Sequence, residues 1–480
     1  MKSASKFEIA AARCWNVLNE GKSFHPVFVL GIFLLLYVAD LGQPEFWDRA
    51  LPALALTAPL VLLFVRYDFP LHLRWALWSF LAAFVAVFRF VDVGALALAF
   101  GLYVFFTVFF WGTFYYHLRT GAPRNNFVRF WRLVLENPDS TSGNFLEQIP
   151  KAFIALLTLE YLNAAPINLG RAVLVLAFTG ALAVASYLIH RKFFTWKPVY
   201  PSEPTRDINH GGPLAKRVIV VVIDGCRLDR FREAEKPYLE RMMAGGTVFE
   251  SVETTYPART VVCFSSMFTG AAPEKHGIRS NLVLKLGLRV ESIFDSLWRA
   301  GKKGRLVGIA HLIDAFGDDV ASVTSVAHND KIDQNLIAAA RRELTEHDPE
   351  LLILQLLAVD QNGHTRGTYY PEYVERIEIT DALIEEFMGW CEERGYLEDA
   401  AVVLMADHGQ GRGIGAHGHL SEGERFVPFA MWGSGVAAGM SVSEPRSILD
   451  LAPTISYLLG VEPPAGSTGR TLLEALERRP

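Results

Sequence analysis

In the second half of the 480-residue chain, three apolar runs lead into aspartates: RVIVVVI (217–223) into Asp224, LLILQLLA (351–358) into Asp360 one residue later, and AVVLMA (401–406) into Asp407. Imidazoles follow two of them. Asp360 and His364 share the segment DQNGH, His408 comes directly after Asp407, and His417 and His419 arrive soon after. A single aspartate at a strand end is an ordinary helix cap. Three of them, joined by histidines at one end of a sheet, make a cluster of oxygen and imidazole donors. Converging carboxylates need cations, and this donor mixture suits zinc first and manganese second.

The segment TTYPARTVVCFSSMFTGAAPEKHGI (254–278) supplies a reactive hydroxyl. Pro257 suits the entry to a helix, and a helix over 260–268 puts Thr260 at its N-terminus, where free N–H groups and the dipole favour an anion such as phosphate. A threonine hydroxyl is a poor nucleophile until its proton is drawn off, which coordination to a cation achieves. Cys263 has no basic neighbour to lower its pKa and reads as a buried helix residue.

These groups must be carried by an α/β domain. Near-continuous apolar strands alternate with helical patterns at 237–244, 290–300, 333–346 and 371–394, which predicts a doubly wound, mainly parallel sheet covered on both faces. Ligands of such sheets collect at the carboxyl ends of the strands. The domain is expected over 216–475.

The first half of the chain differs in kind. The whole chain is 51% hydrophobic and 20% charged, but only nine charged residues fall among 26–118. A bilayer core takes about 20 apolar residues per helix. Uncharged stretches at 23–39, 50–65, 75–88, 93–118 and 172–189 give five expected spans of an α-helical membrane bundle over 23–190, behind an N-terminal tail (1–22). A sixth at 152–167 is interrupted by Glu160 and Asn163. With six spans, Lys and Arg crowd one side and place both termini in the cytoplasm. With five, the C-terminal half lies outside. An amphipathic piece at 127–135 is expected along the headgroups, and the proline-, glycine- and charge-rich stretch 191–215 reads as a linker. A net charge of −5 excludes the basic footprint of a nucleic-acid binder. Four scattered cysteines without a CxxC pair exclude a disulfide framework or a zinc module.

Over about residues 217–459 the chain resembles the alkaline phosphatase superfamily, most closely its nucleotide pyrophosphatase/phosphodiesterase branch. The resemblance rests on VVIDG around Asp224, on Thr260 nine residues before Thr269-Gly270, on PEKHGI (273–278), on Asp360, Gly363 and His364 of DQNGH, on Asp407-His408-Gly409, and on His417 in GAHG. It implies a sheet of alkaline-phosphatase type and two divalent metal ions. One ion would be held by Asp360, His364 and His417, the other by Asp224, Asp407, His408 and the Thr260 oxygen, with Thr260 as nucleophile and His419 as a spare. One departure stands out: where the branch has Pro-Asn, the asparagine contacting a phosphate oxygen, this chain has Val262 and Cys263. Arg259 or Arg227 is the expected source of substitute positive charge.

These features imply a membrane-anchored, metal-dependent phosphodiesterase, a hydrolase that cleaves a phosphodiester or pyrophosphate through a phosphothreonine. Its partners would be a lipid bilayer and a phospholipid headgroup or nucleotide substrate. The alternative is a phosphoethanolamine- or phosphoglycerol-type transferase, in which an acceptor alcohol replaces water. Sulfatase chemistry is weaker, because Thr255 occupies the cysteine position of a half-present C-x-P-x-R pattern and cannot become formylglycine. A non-enzymatic membrane sensor is the rival from another class. The plasma (inner) membrane is the expected location, multi-pass, with the catalytic domain on the extracytoplasmic side.

Overall fold

The computed structural model describes residues 21–67, 74–106, 147–193, 198–209, 211–279, 281, 287–323, 329–411, 417–418 and 421–477. The chain divides into two compact units between Thr195 and Trp196.

The first unit is helical: α1 (Gly21–Leu36), α2 (Pro44–Arg66), α3 (Trp75–Phe88), α4 (Val93–Val104), α5 (Ile149–Asn163) and α6 (Leu169–Phe193). Among the described residues two helices are long and apolar enough to cross a membrane, Pro44–Arg66 and Leu169–Lys192. The stretches expected at 23–39, 75–88 and 93–118 form shorter apolar helices, and the far end of the last lies outside the described residues. The tail up to residue 20 and the amphipathic 127–135 also lie outside them.

The interrupted sixth candidate is the inner helix of this unit. Of the 15 residues of α5, 13 are buried, and it packs against α1, α2, α3 and α4. Its two charged groups are paired: Tyr37 Oη donates to Glu160 at 2.7 Å, and Lys151 Nζ donates to Glu147 at 2.7 Å and to the Tyr67 carbonyl at 3.0 Å. Lys151 is therefore an interior ion-paired residue and not one of the loop cations that set topology. By contrast, α6 carries exposed Leu169, Val173, Leu176, Val184 and Leu188, an apolar surface of the kind lipid covers.

The second unit contains β1 (Arg217–Ile223), α7 (Leu228–Glu233), α8 (Pro237–Ala244), β2 (Thr247–Glu253), α9 (Thr260–Thr269), α10 (Ile293–Arg299), β3 (Gly304–Ile309), β4 (Val320–Val323), α11 (Asn329–His347), β5 (Leu351–Leu356), α12 (Ala358–Arg366), α13 (Pro371–Glu393), β6 (Ala400–Met405), β7 (Phe426–Gly433), β8 (Met440–Val442), β9 (Arg446–Ser447) and α14 (Leu451–Leu459). The sheet order is β4-β3-β5-β1-β6-β7-β2-β8, with β9 also on β2. From β4 to β6 all pairs are parallel, and β7 runs antiparallel to both β6 and β2. The α/β expectation is met, with a mixed edge.

The three strands legible in the sequence are the three central neighbours. Ile223 pairs with Leu356 and Val222 with Met405, so β5, β1 and β6 end level with one another. All residues of β5 and β6 are buried, which is why they read as continuous apolar runs rather than alternating ones. One detail differs from the sequence reading. β5 stops at Leu356, and Asp360 stands in the first turn of α12. The start of α12 is fixed by Asp333 Oδ1, which accepts from the Leu357 and Ala358 N–H groups at 2.7 and 3.1 Å.

The stretch read as a linker is fastened to this unit from Tyr200 onward. Tyr200 Oη accepts from the Tyr256 N–H, Thr205 N–H donates to the Ser467 carbonyl, and Leu214 N–H donates to the Leu458 carbonyl. Ile353, fully buried on β5, tests the central core. Ile353→Ala should cost roughly 2–5 kcal/mol, read as a lower denaturation midpoint, and a loss near zero would show that β5 is not central.

Candidate active site

Asp224 follows β1 and Asp407 follows β6. Both are completely buried. Between them stands His408, whose Nε2 lies 3.5 Å from Asp224 Oδ1, 3.4 Å from Asp407 Oδ2 and 3.4 Å from Thr260 Oγ1. His408 Nδ1 is 2.9 Å from the Gly409 carbonyl. A carbonyl only accepts, so Nδ1 carries the proton and the Nε2 lone pair faces the carboxylates and the threonine.

A second group adjoins the first. Asp360 Oδ2 is 3.2 Å from His364 Nε2, and His417 Nε2 is 3.1 Å from His364 Nε2 and 3.7 Å from Asp360 Oδ1. His417 Nδ1 donates to the Ala258 carbonyl at 2.8 Å, so its Nε2 lone pair also faces inward. The rings of His408 and His417 are stacked at 4.0 Å. Donor atoms of Asp224, Asp407 and His408 lie within 4.8 Å of one another, as do those of Asp360, His408 and His417. His408 is thus within reach of both groups, although the resemblance assigns it to one. The structure brings together Asp224, Thr260, Asp360, His364, Asp407, His408 and His417. His419 lies outside the described residues.

The electrostatics show what the cluster lacks. Burial, followed by the neighbouring Asp407 and Asp360 charges, holds the Asp224 carboxyl well above the ordinary carboxylate range, and burial does the same to Asp407. Burial also favours the charge-free form of Asp360, but the adjacent imidazoles outweigh it and hold that carboxyl low. Burial pushes His408 down to about 4 and His417 down to about 3. Asp224 Oδ1 and Asp407 Oδ2 are buried without a hydrogen-bond partner among the described residues. Unpaired buried carboxylate oxygens beside inward-facing imidazole lone pairs are costly unless a cation joins them. The donor set fits divalent ions.

Gly225 lets the chain close around this point. Its φ is +67°, and a Cβ there would come within 2.5 Å of Asp360 Oδ1. Its N–H donates to Asp407 Oδ1 at 3.2 Å.

Thr260 is the first residue of α9 and is 4% exposed. Of the two arginines expected nearby, Arg227 is committed elsewhere: its guanidinium donates to both Asp229 oxygens at 2.9 and 2.7 Å and to the Gln410 carbonyl at 2.6 Å. Arg259 is half-buried and lies against Gly418. Cys263 is fully buried, with its thiol pushed up by burial and 3.3 Å from Thr254 Oγ1. The group at the helix start that sequence reasoning missed is Asn281. Its Oδ1 accepts from the Val261 N–H at 2.9 Å, which brings a side-chain amide beside Thr260. No signal at 262 and 263 could have found it, because it stands 20 residues beyond Val261 and reaches the site only through the fold.

His276 of PEKHGI has a structural part. It is fully buried, its Nδ1 accepts from the Ile278 N–H at 3.1 Å, and its Nε2 therefore carries the proton 3.0 Å from Ser266 Oγ on α9. Burial, reinforced by Arg279, pushes its pKa down to about 3 from 6.5. In that window the unfolded chain binds the proton and the folded chain does not, so the contribution is complete above pH 6.5 and is lost as pH falls toward 3. Each pH unit is worth at most about 1.4 kcal/mol. Between pH 6.5 and 4 the unfolding temperature of His276→Asn should fall less steeply than that of wild type, and equal slopes would refute a buried neutral His276.

Comparison with known proteins adds a family and relatives. The sulfatase family model matches residues 216–461. GPI ethanolamine phosphate transferase 1 of Emericella nidulans is 24% identical over 328 residues, covering 55% of this chain and 35% of that protein. GPI ethanolamine phosphate transferase 2 of Aspergillus fumigatus is 25% identical over 326 residues, covering 62% of this chain and 42% of that protein. The chain thus spans less than half the length of these relatives. The crystal structure of wild-type alkaline phosphatase PafA matches with a TM-score of 0.47 at 12% identity, covering 55% of this chain and 99% of that one.

Proposed function

The chain belongs to the sulfatase family of the alkaline phosphatase superfamily, and within it we propose a membrane-anchored, metal-dependent transferase that moves a phosphoethanolamine-type headgroup to an acceptor hydroxyl. The carrying observation is the Thr260 hydroxyl at the start of α9, 3.4 Å from His408 Nε2 within the Asp224–Asp407–His408 group. The sequence alone favours hydrolysis. The relatives named above, ethanolamine phosphate transferases, favour the alternative of transfer, and we adopt it. Sulfatase activity has no support at residue 255: Thr255 Oγ1 is buried 2.6 Å from Tyr200 Oη.

Asp360, His364 and His417 would hold one divalent ion, and Asp224, Asp407 and His408 the other, with the Thr260 oxygen beside the second. Zinc suits the donors best. When bound, such ions lower the pKa of an adjacent hydroxyl and offset charge on the transferring phosphoryl oxygens.

The protein's own part is positional. α9 points Thr260 Oγ1 into the site, and the N–H groups of its first turn favour phosphate there. Asn281, whose Oδ1 accepts from the Val261 N–H, stands at the same helix start and would supply the phosphate contact sought at residues 262 and 263. In the first step the Thr260 hydroxyl gives its proton to solvent, the Oγ1–phosphorus bond forms and the bond to the departing alcohol breaks, the alcohol leaving with a proton from solvent. In the second, the acceptor oxygen gives its proton to solvent and bonds to phosphorus while the Oγ1–phosphorus bond breaks and Thr260 Oγ1 takes a proton back from solvent. Tethering to the bilayer raises the effective concentration of lipid headgroups. The exposed apolar α6 supports a membrane location, and a plasma-membrane site with the catalytic unit on the extracytoplasmic face is the arrangement we propose.

Incubation of the zinc-loaded chain with a phospholipid carrying labelled phosphoethanolamine, with and without an acceptor alcohol, tests this reading. Label should pass through Thr260 to the acceptor. Thr260→Ala should lose transfer by at least about 10⁴-fold while keeping its zinc. Release of free phosphoethanolamine at the same rate with or without acceptor would restore the hydrolase reading, and a labelled Thr260→Ala protein would place the nucleophile elsewhere.

A further inference from the structure

Two buried glutamines repeat one arrangement on the two ion-facing groups. On β5, Gln355 Nε2 donates to Asp224 Oδ2, while its Oε1 accepts from the Ile309 N–H at 2.9 Å. After β6, Gln410 Nε2 donates to Asp360 Oδ1 at 2.5 Å and to the Asp360 carbonyl at 2.9 Å. Each amide orientation is fixed by its partners, since an N–H faces Oε1 in the first and two acceptors face Nε2 in the second. A glycine makes room for each. A Cβ on Gly308 would come within 2.6 Å of Gln355 Oε1, and one on Gly363 within 1.8 Å of Gln410 Oε1. Gly363 lies on α12 between Asp360 and His364, so the turn that carries both donors also makes space for the amide that holds one of them.

We propose that Gln355 and Gln410 are the positioning residues of this site: each occupies one oxygen of one aspartate and leaves the other to an ion. The inference rests on the two-ion reading above. The oxygens the glutamines do not hold face the imidazoles. Asp224 Oδ1 has no hydrogen-bond partner among the described residues and lies 3.5 Å from His408 Nε2, and Asp360 Oδ2 lies 3.2 Å from His364 Nε2. A neutral amide suits this task. Lysine or arginine would compete with the ion for the carboxylate's charge, and an alkyl side chain would leave the carboxylate free to rotate and bind through both oxygens. Gln410 Oε1 is itself buried without a partner among the described residues. The side chain carries that cost, and what it gains is the pair of bonds to Asp360.

The test uses the full chain in detergent, stripped of metal. Zinc affinity is read by competition with a chromophoric chelator, and ligand geometry by the absorption spectrum of the cobalt-substituted protein. Gln355→Met and Gln410→Met should each weaken one of two binding steps by about 10–100-fold and change the cobalt spectrum, with the unfolding temperature of the metal-free protein held near wild type. Gly308→Ala and Gly363→Ala press on the same amides without touching either aspartate's partners by type, and should weaken the same two steps. Gly363→Ala/Gln410→Met should bind no more weakly than Gln410→Met alone, because both changes act through one contact. If a methionine variant does not fold, the matching alanine variant decides. Unchanged affinity and spectra in folded variants, with two ions bound by wild type, overturn this inference alone. A wild-type chain that binds fewer than two ions overturns the site reading beneath it.

Discussion

Asp224, Asp360 and Asp407 bring three carboxylates into a site from which water is almost entirely excluded, and like charges so placed repel one another strongly. The imidazoles of His408 and His417 do not neutralise them, because burial holds both in their uncharged form. The missing positive charge is the constraint around which the domain is arranged. It accounts for the inward lone pairs, for the partnerless oxygens of Asp224 and Asp407, and for a threonine hydroxyl brought to the same point at the start of a helix.

The sheet makes this concentration of charge geometrically simple. β5, β1 and β6 are adjacent and parallel, so the chain leaves all three at one end and the residues that follow meet without long excursions. Apolar packing in the strands sets the height of their ends, and local bonds then set the side chains. Asp333 fixes the start of α12, Gly225 lets the turn after β1 approach Asp360, and the Gly409 and Ala258 carbonyls choose the tautomers of His408 and His417.

The central strands and the residues behind them were legible because full burial on both faces writes itself as unbroken apolar runs, and because aspartates recur behind all three runs with histidines close after two of them. The outer sheet was not legible. β2, TVFESVE, is only partly buried, and β7, FVPFAMWG, contains a proline, so neither carries a clean period. Asn281, Gln355 and Gln410 were invisible for another reason: an amide has no sequence signature until the fold supplies its partner. The stretch at 152–167 was legible as apolar, but its place inside the helical unit depends on Lys151 and Glu160 finding Glu147 and Tyr37, pairings that no periodicity reveals. Transfer and hydrolysis call on the same motif residues, so the sequence by itself does not choose between them.

The central claim is that two divalent ions share this pocket beside one threonine oxygen. Anomalous X-ray scattering at the zinc edge from crystals of the zinc-loaded chain tests it most directly. The account predicts two peaks about 3.5–4 Å apart, one against Asp360, His364 and His417 and the other against Asp224, Asp407, His408 and Thr260 Oγ1. A single peak, or peaks away from these side chains, would contradict it.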